Sequence, residues 1–225
     1  MKSICLVWFR LLSFQIHPEE WKACGNHFLV AGMMVTWVAG IGRHWDDPRA
    51  EWIQQTGLGS VVYVLVLSAL LWCVSKPLAS GRMSYLSLLT YVSLTSPPAL
   101  LYAIPLEKWM SLEHSNTINF WFLAVVSAWR VGLLWNFYRL SGLALFDRVL
   151  VTFLPLGFIV VTLFFLNLQH VVMNIMGGIR DADRTTHDQA YGLLFLMSAL
   201  SVYLTPLLML TWLGRLAFLY LKRTK

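Results

Sequence analysis

The stretch from Ile118 to Phe137, INFWFLAVVSAWRVGLLWNF, decides how this chain folds. As an α-helix its roughly 20 residues extend about 30 Å, which matches the hydrocarbon core of a bilayer. Its single charged residue is Arg130, and no other long apolar run carries Asp, Glu, Lys or Arg in its interior. Because an isolated arginine is costly at that depth, Arg130 becomes the first candidate functional residue.

The composition of the whole chain indicates the same environment. Of its 225 residues, 58% are hydrophobic and only 12% are charged, whereas a soluble domain has about 25% charged residues. The net charge of +6 does not predict nucleic-acid binding, since the basic residues are spread among loops instead of forming one basic face. We therefore expect a membrane protein whose partner is the lipid bilayer, with no nucleic acid and no cofactor.

Six long apolar runs predict six membrane-spanning helices in a single domain, residues 1–225. A shorter apolar segment within residues 1–17 cannot cross, so it is predicted to be an interfacial helix with Trp8, Phe9, Leu11 and Leu12 toward lipid and Arg10 toward headgroups. The predicted fold is an all-α bundle of about six transmembrane helices preceded by this short helix. The spans cover about residues 26–42, 57–74, 84–104, 118–137, 149–168 and 190–212.

Local signals mark several helix boundaries. Pro18-Glu19-Glu20 is typical of a helix start, because acidic side chains stabilise the positive end of the helix dipole. Thr186 and Gln189 fit a capping box at the start of the sixth span. Pro97-Pro98 lies inside the third span and predicts a kink or break there, since each proline removes a backbone donor.

The distribution of basic residues predicts the orientation of the chain. With six spans, 11 Lys and Arg residues fall on the side of the termini and 5 on the other side. The positive-inside rule therefore places both termini in the cytoplasm. Cys5, Cys24 and Cys73 then lie near the cytoplasmic face, where we expect free thiols.

Small residues recur every four positions along the first span, at Gly32, Thr36 and Gly40. This spacing puts them on one helix face, where another helix can approach closely. The alternative is chance, because small residues are common in membrane helices.

Arg130 has two interpretations. It is either a structural arginine that extends toward the cytoplasmic face, or part of a ligand site with Ser96, Pro97 and Pro98. In the second case it binds carbonyls freed by the prolines, or hydroxyls such as Thr95 and Ser96. Since no carboxylate lies inside any predicted span to pair with it, the ligand would be an anion or backbone oxygens.

Imidazoles and carboxylates are concentrated in the predicted outer loops. His44, Asp46, His187 and Asp188 are candidate ligands for zinc or a similar metal. None of their spacings is diagnostic, and solvated outer loops contain acids in any case. A metal-dependent hydrolase at the outer face is therefore the third functional hypothesis.

Three segments resemble a known group: Trp37 to Ala50 (WVAGIGRHWDDPRA), Thr95 to Ala99 (TSPPA) and Ala128 to Val131 (AWRV). They are similar to bacterial inner-membrane proteins of the broad Yip1-like group, over about residues 26–175. The resemblance implies a polytopic protein that binds partner proteins, and it implies no catalytic residues. This chain departs from the group by its short N-terminal region and its sixth span.

The leading functional hypothesis is a non-enzymatic protein of the bacterial inner membrane that binds a membrane protein partner, forms a homo-oligomer or supports a membrane process. The main alternative is a small-solute or anion transporter, or a channel component, that uses Arg130 and the Pro97-Pro98 break.

Overall fold

The computed structural model describes residues 4–22, 24–42, 56–79, 83–104, 106–166 and 189–223. Across these residues the chain is helical and contains no strand. The α-helices are α1 (Ile4–Leu12), α2 (Pro18–Lys22), α3 (Asn26–Gly42), α4 (Leu58–Ser75), α5 (Tyr85–Leu94), α6 (Leu112–Leu140), α7 (Leu145–Phe165) and α8 (Gln189–Arg223), with 3₁₀ segments at Pro97–Ala103 and Leu106–Lys108.

Within the described ranges, four helical stretches are long and apolar enough to cross a membrane: Leu58–Ser75, Thr117–Leu140, Leu145–Phe165 and Phe195–Lys222. Their outward faces carry large exposed apolar side chains such as Val62, Phe158, Leu204 and Leu207. Such continuous apolar surfaces are unfavourable in water and favourable in lipid. The predicted all-α class and its membrane-type helices are therefore confirmed.

Helices α3, α4 and α5 pack together through the small residues of α3. A Cβ on Gly32 would lie 3.0 Å from the backbone carbon of Ser93 in α5, and a Cβ on Gly40 would lie 2.7 Å from the carbonyl oxygen of Gly57. Thr36, between them, is buried. The α3 backbone therefore approaches α5 and the start of α4 as closely as only small side chains allow.

Helices α7 and α8 extend beyond one end of the spans predicted for them, and the extensions contain charged residues. Helix α7 begins at Leu145, before the predicted start near residue 149, and α8 continues to Arg223, beyond the predicted end near residue 212. Asp147 and Arg215 therefore lie inside helices. Asp147, which lies outside the predicted spans, is thus part of the candidate membrane helix Leu145–Phe165, where it pairs with Arg215.

The N-terminal helix packs against the bundle instead of presenting the predicted face to lipid. Leu11 is 0% exposed, and Val7 is also buried, whereas Phe9 is 69% exposed. Trp8 and Leu12 are partly buried against the same core, and Arg10 Nη1 forms an ion pair with Glu20 Oε1 at 2.6 Å. The predicted lipid-facing orientation of Trp8, Leu11 and Leu12 is wrong, because these side chains find protein partners.

Candidate functional site

The Pro97-Pro98 pair interrupts the helix within the segment predicted as the third span, as the sequence predicts. Helix α5 ends at Leu94, and the chain continues as a 3₁₀ segment from Pro97 to Ala103. In a continuous α-helix the nitrogens of residues 97 and 98 would bond to the carbonyls of Ser93 and Leu94. Since proline has no N–H, both carbonyls need other donors.

Each of these two carbonyls accepts a hydrogen bond from another donor. The backbone N–H of Ser96 donates to the Ser93 carbonyl at 3.2 Å, a tighter local turn. The indole N–H of Trp8 donates to the Leu94 carbonyl at 2.7 Å, from 86 residues away in sequence. The N-terminal helix thus supplies the donor that Pro98 lacks, which explains why Trp8 points into the bundle.

Arg130 lies beside this break. Its Nε donates to Thr95 Oγ1 at 3.4 Å, a long hydrogen bond, while the Thr95 hydroxyl donates to the Val92 carbonyl at 2.7 Å. Arg130 is partly buried, and Thr95 is its hydrogen-bond partner among the described residues. Arg130 therefore contacts the Thr95 hydroxyl, one of the partners proposed from the sequence. The carbonyls of Ser93 and Leu94 accept from other donors.

The other residues of the predicted ligand site make contacts of their own within the protein. Ser96 is buried, and its hydroxyl lies 2.6 Å from the hydroxyl of Thr36 in α3. Thr36 also donates to the Gly32 carbonyl at 2.8 Å. The break is therefore linked to the α3 packing face through Ser96, and to α6 through Thr95 and Arg130. Pro97 is half-buried and Pro98 is buried within the same region.

The C-terminal end of α1 covers the α6 surface next to Arg130. Trp129 donates its indole N–H to the Leu12 carbonyl at 2.9 Å. The ring of Phe14 lies 3.3 Å from the position that a Cβ on Gly132 would take. One end of α1 is held by α6 and its middle by the α5 break, so the N-terminal segment and the candidate site form one unit.

A second polar contact was not predicted from the sequence. Arg215 Nε lies 2.8 Å from Asp147 Oδ1, and Arg215 Nη2 lies 3.1 Å from Asp147 Oδ2, a bidentate pair that joins α8 to α7. Arg148 stacks over the Trp135 ring at 5.4 Å. One feature of the sequence could have predicted the Asp147–Arg215 pair. Each of the two charges lies within a few residues of an apolar run, so a helix that extends beyond the run would include it.

The metal hypothesis falls on residues that the structure does not describe. His44, Asp46, His187 and Asp188, together with the Thr186 cap, lie outside the described ranges. Within those ranges no group of three His, Cys, Asp or Glu side chains is placed to hold a metal ion.

Comparison with known proteins adds no relative. No family model matches the chain, and no curated protein or solved structure matches it. The Yip1-like resemblance therefore stays a prediction, and the site has to be interpreted from its own chemistry.

We predict that Trp8 and Pro98 are energetically coupled. Replacing Trp8 with Phe keeps an aromatic ring, though a smaller one, and leaves the Leu94 carbonyl without its donor, which should cost about 1–3 kcal/mol of unfolding free energy. In a Pro98→Ala background the restored N–H can bond to that carbonyl, so the same change should cost less. Denaturant unfolding in detergent, monitored by circular dichroism, gives the unfolding free energies of this double-mutant cycle and hence the coupling between Trp8 and Pro98.

Trp109→Phe is the matched control, because the Trp109 ring is largely exposed. It should change the unfolding free energy little. An equal loss from Trp8→Phe in both backgrounds would contradict the assignment of the Leu94 carbonyl to Trp8.

Proposed function

We propose that this chain is a multi-pass protein of the bacterial inner membrane that crosses six times, with both termini on the cytoplasmic side. Helices α4, α6, α7 and α8 supply the four long crossings. Helix α3, and α5 with its 3₁₀ continuation, complete the six. The bacterial inner membrane comes from the Yip1-like resemblance, and the orientation comes from the excess of basic residues on the side of the termini.

Contacts between helix ends support an alternating path. One cavity is bordered by Asn26 at the start of α3, Lys76 directly after α4 and Ser84 directly before α5. At the opposite end of α3, Gly40 meets Gly57 before α4. These three helices therefore run in alternating directions, as consecutive crossings must.

The C-terminal part of the chain returns to the same side. Trp212 of α8 donates its indole N–H to the Val74 carbonyl, near the end of α4, at 3.1 Å. The Asp147–Arg215 pair joins the start of α7 to the same part of α8. The start of α3 and the end of α8 thus belong to one face, which is the arrangement that an even number of crossings requires.

The proposed topology predicts opposite labelling of Lys108 and Lys222. In a background with Cys5, Cys24 and Cys73 replaced by serine, Lys108→Cys should react with a membrane-impermeant maleimide in intact spheroplasts. Lys222→Cys should react only after permeabilisation, because α8 ends in the cytoplasm. Both lysines are exposed, so burial does not bias the comparison. Identical labelling of the two positions would exclude six crossings.

Within this topology we infer a non-enzymatic role that depends on a membrane partner, and the exposed face of α8 carries this inference. Within the stretch Phe195–Lys222, 11% of an 18-residue apolar window is buried within the protein, against 28% for Leu58–Ser75. Tyr203 and Leu210, seven residues apart and on one face, are 76% and 66% exposed. A helix that gives so little of its surface to its own bundle has room for a second helix.

Photo-crosslinking tests this inference in native membranes. A photoreactive phenylalanine at Tyr203 or at Leu210 should give a protein adduct of the same mass, since both positions face the same partner. An adduct of twice the chain mass identifies a homo-oligomer. Val62 of α4 is also exposed and provides the control, which should give lipid adducts. Lipid adducts alone at both α8 positions would contradict the partner hypothesis.

A second candidate function is favoured by the contact between Arg130 and Thr95. A cation beside a broken helix is a recurrent way to build an anion site near the middle of a membrane. The guanidinium has five N–H donors, and Thr95 accepts from its Nε. Donors remain for an anion, which is the ligand class that the sequence analysis proposed for a small-solute or anion transporter.

Anion flux into proteoliposomes tests the second candidate, with chloride, phosphate and acetate as probes. The wild type should raise the flux of at least one of them above that of protein-free vesicles. Arg130→Leu should return it to the protein-free rate, because the substitution removes the guanidinium that would bind the anion at the break. Arg139→Gln, a change at an exposed arginine of the same helix, should leave the flux unchanged. An unaltered flux in Arg130→Leu would remove this candidate.

A further inference from the structure

A cavity of about 650 Å³ lies at the end of the bundle where α3 and α5 begin and α4 ends. This volume falls in the range of about 300–1,000 Å³ that is typical of ligand pockets. The cavity lies away from the Arg130 site, at the face assigned to the cytoplasm. Its lining includes Trp21, Asn26, Trp72, Lys76, Ser84 and Thr90.

The charged residue of this lining is a lysine held by an aromatic ring. Lys76 Nζ lies 4.2 Å from the centroid of the Trp72 ring, a distance at which the ring face attracts the ammonium. Trp72 is itself fixed, because its indole N–H donates to the Met83 carbonyl at 3.3 Å. Lys76 is exposed, so its ammonium remains available to an anion that enters the cavity.

Polar groups also line the cavity. Ser84 caps α5, and its hydroxyl accepts from the backbone N–H of Ser87 at 3.1 Å. Cys24 lies beside them, and burial together with the Glu20 carboxylate raises the pKa of its thiol to about 11. The thiol is neutral at physiological pH, and the Glu20 carboxylate near it is paired with Arg10 Nη1 at 2.6 Å.

Apolar groups connect the cavity with the lipid-facing surface. Leu86 is part of the lining and is 48% exposed, and Tyr85 next to it donates its hydroxyl to the Leu65 carbonyl at 3.4 Å. Leu65 and Val66 are also exposed on α4. A ligand with a charged head and an apolar tail can therefore occupy the cavity and follow this surface into the bilayer.

We propose that this cavity binds the headgroup of an anionic glycerophospholipid, with the phosphate at Lys76 and an acyl chain along Leu86. Basic pockets between membrane helices at the cytoplasmic side are suited to such headgroups. Two tryptophans, Trp21 and Trp72, border the site, and their amphipathic rings favour the depth at which headgroups lie. The proposal rests on the membrane topology proposed above and on the cavity, and it is independent of both the partner-binding role and the anion-transport role.

The test is native mass spectrometry of the full chain, extracted in detergent and titrated with phosphatidylglycerol or phosphatidylcholine. The wild type should retain the anionic lipid in preference to the zwitterionic one. Lys76→Gln should weaken phosphatidylglycerol binding about fivefold, since a lysine near anionic lipid contributes on the order of a factor of five in affinity. Lys76→Arg should preserve most of the binding, because it keeps the charge.

Lys222→Gln is the matched control, since it removes an exposed lysine at the end of α8 and should leave the lipid affinity unchanged. Circular dichroism of each variant verifies the fold. Equal binding of phosphatidylglycerol by the wild type and Lys76→Gln would overturn the proposal.

A further measurement distinguishes a lipid from a soluble phosphate as the ligand of the cavity. Glycerol 3-phosphate at the same concentration should stabilise the protein against heat far less than phosphatidylglycerol does, because it lacks the tail that Leu86 would contact. Equal stabilisation by the two compounds would identify a soluble phosphate as the ligand and overturn the lipid assignment.

Discussion

A backbone carbonyl cannot remain unpaired in an apolar interior, and this constraint organises the centre of the molecule. Pro98 removes the N–H that would have bonded to the Leu94 carbonyl. The replacement comes from Trp8, which requires one face of the N-terminal helix to pack against the bundle, while Phe9 on another face stays exposed. One missing donor at the break after α5 is thus supplied by a helix 86 residues earlier in the chain.

The same constraint applies to charge. Asp147 and Arg215 satisfy each other in a bidentate pair, which allows α7 and α8 to contain charged residues within otherwise apolar helices. Arg130 has no such partner carboxylate among the described residues and has a hydroxyl instead. A bidentate ion pair fixes two helices, whereas a guanidinium with one long hydrogen bond keeps donors for another group. This difference in hydrogen bonding, and not only the depth in the membrane, distinguishes Arg215 as a structural arginine from Arg130 as a candidate site.

Most of the architecture could be predicted from the sequence because the hydrophobic runs are long. The first span agrees with α3 at both ends, and the proline pair ends α5 where the missing donors require it. The errors occur where charges flank an apolar run, as at Asp147 and Arg215, since a run's hydropathy ends at a charge although a helix need not. The orientation of Trp8 and Leu11 also escaped prediction, because helix periodicity identifies an apolar face but not what covers it.

The sequence by itself determined the helical class, the membrane-type apolar stretches, the break at Pro97-Pro98 and the isolated charge at Arg130. These follow from local properties, namely hydropathy, the proline ring and the cost of a charge in an apolar run. Only the tertiary structure decided that Trp8 serves the Leu94 carbonyl, that Arg130 meets Thr95, and that Lys76 borders a cavity. Each of these joins residues distant in the chain, and such pairings depend on how the helices pack together.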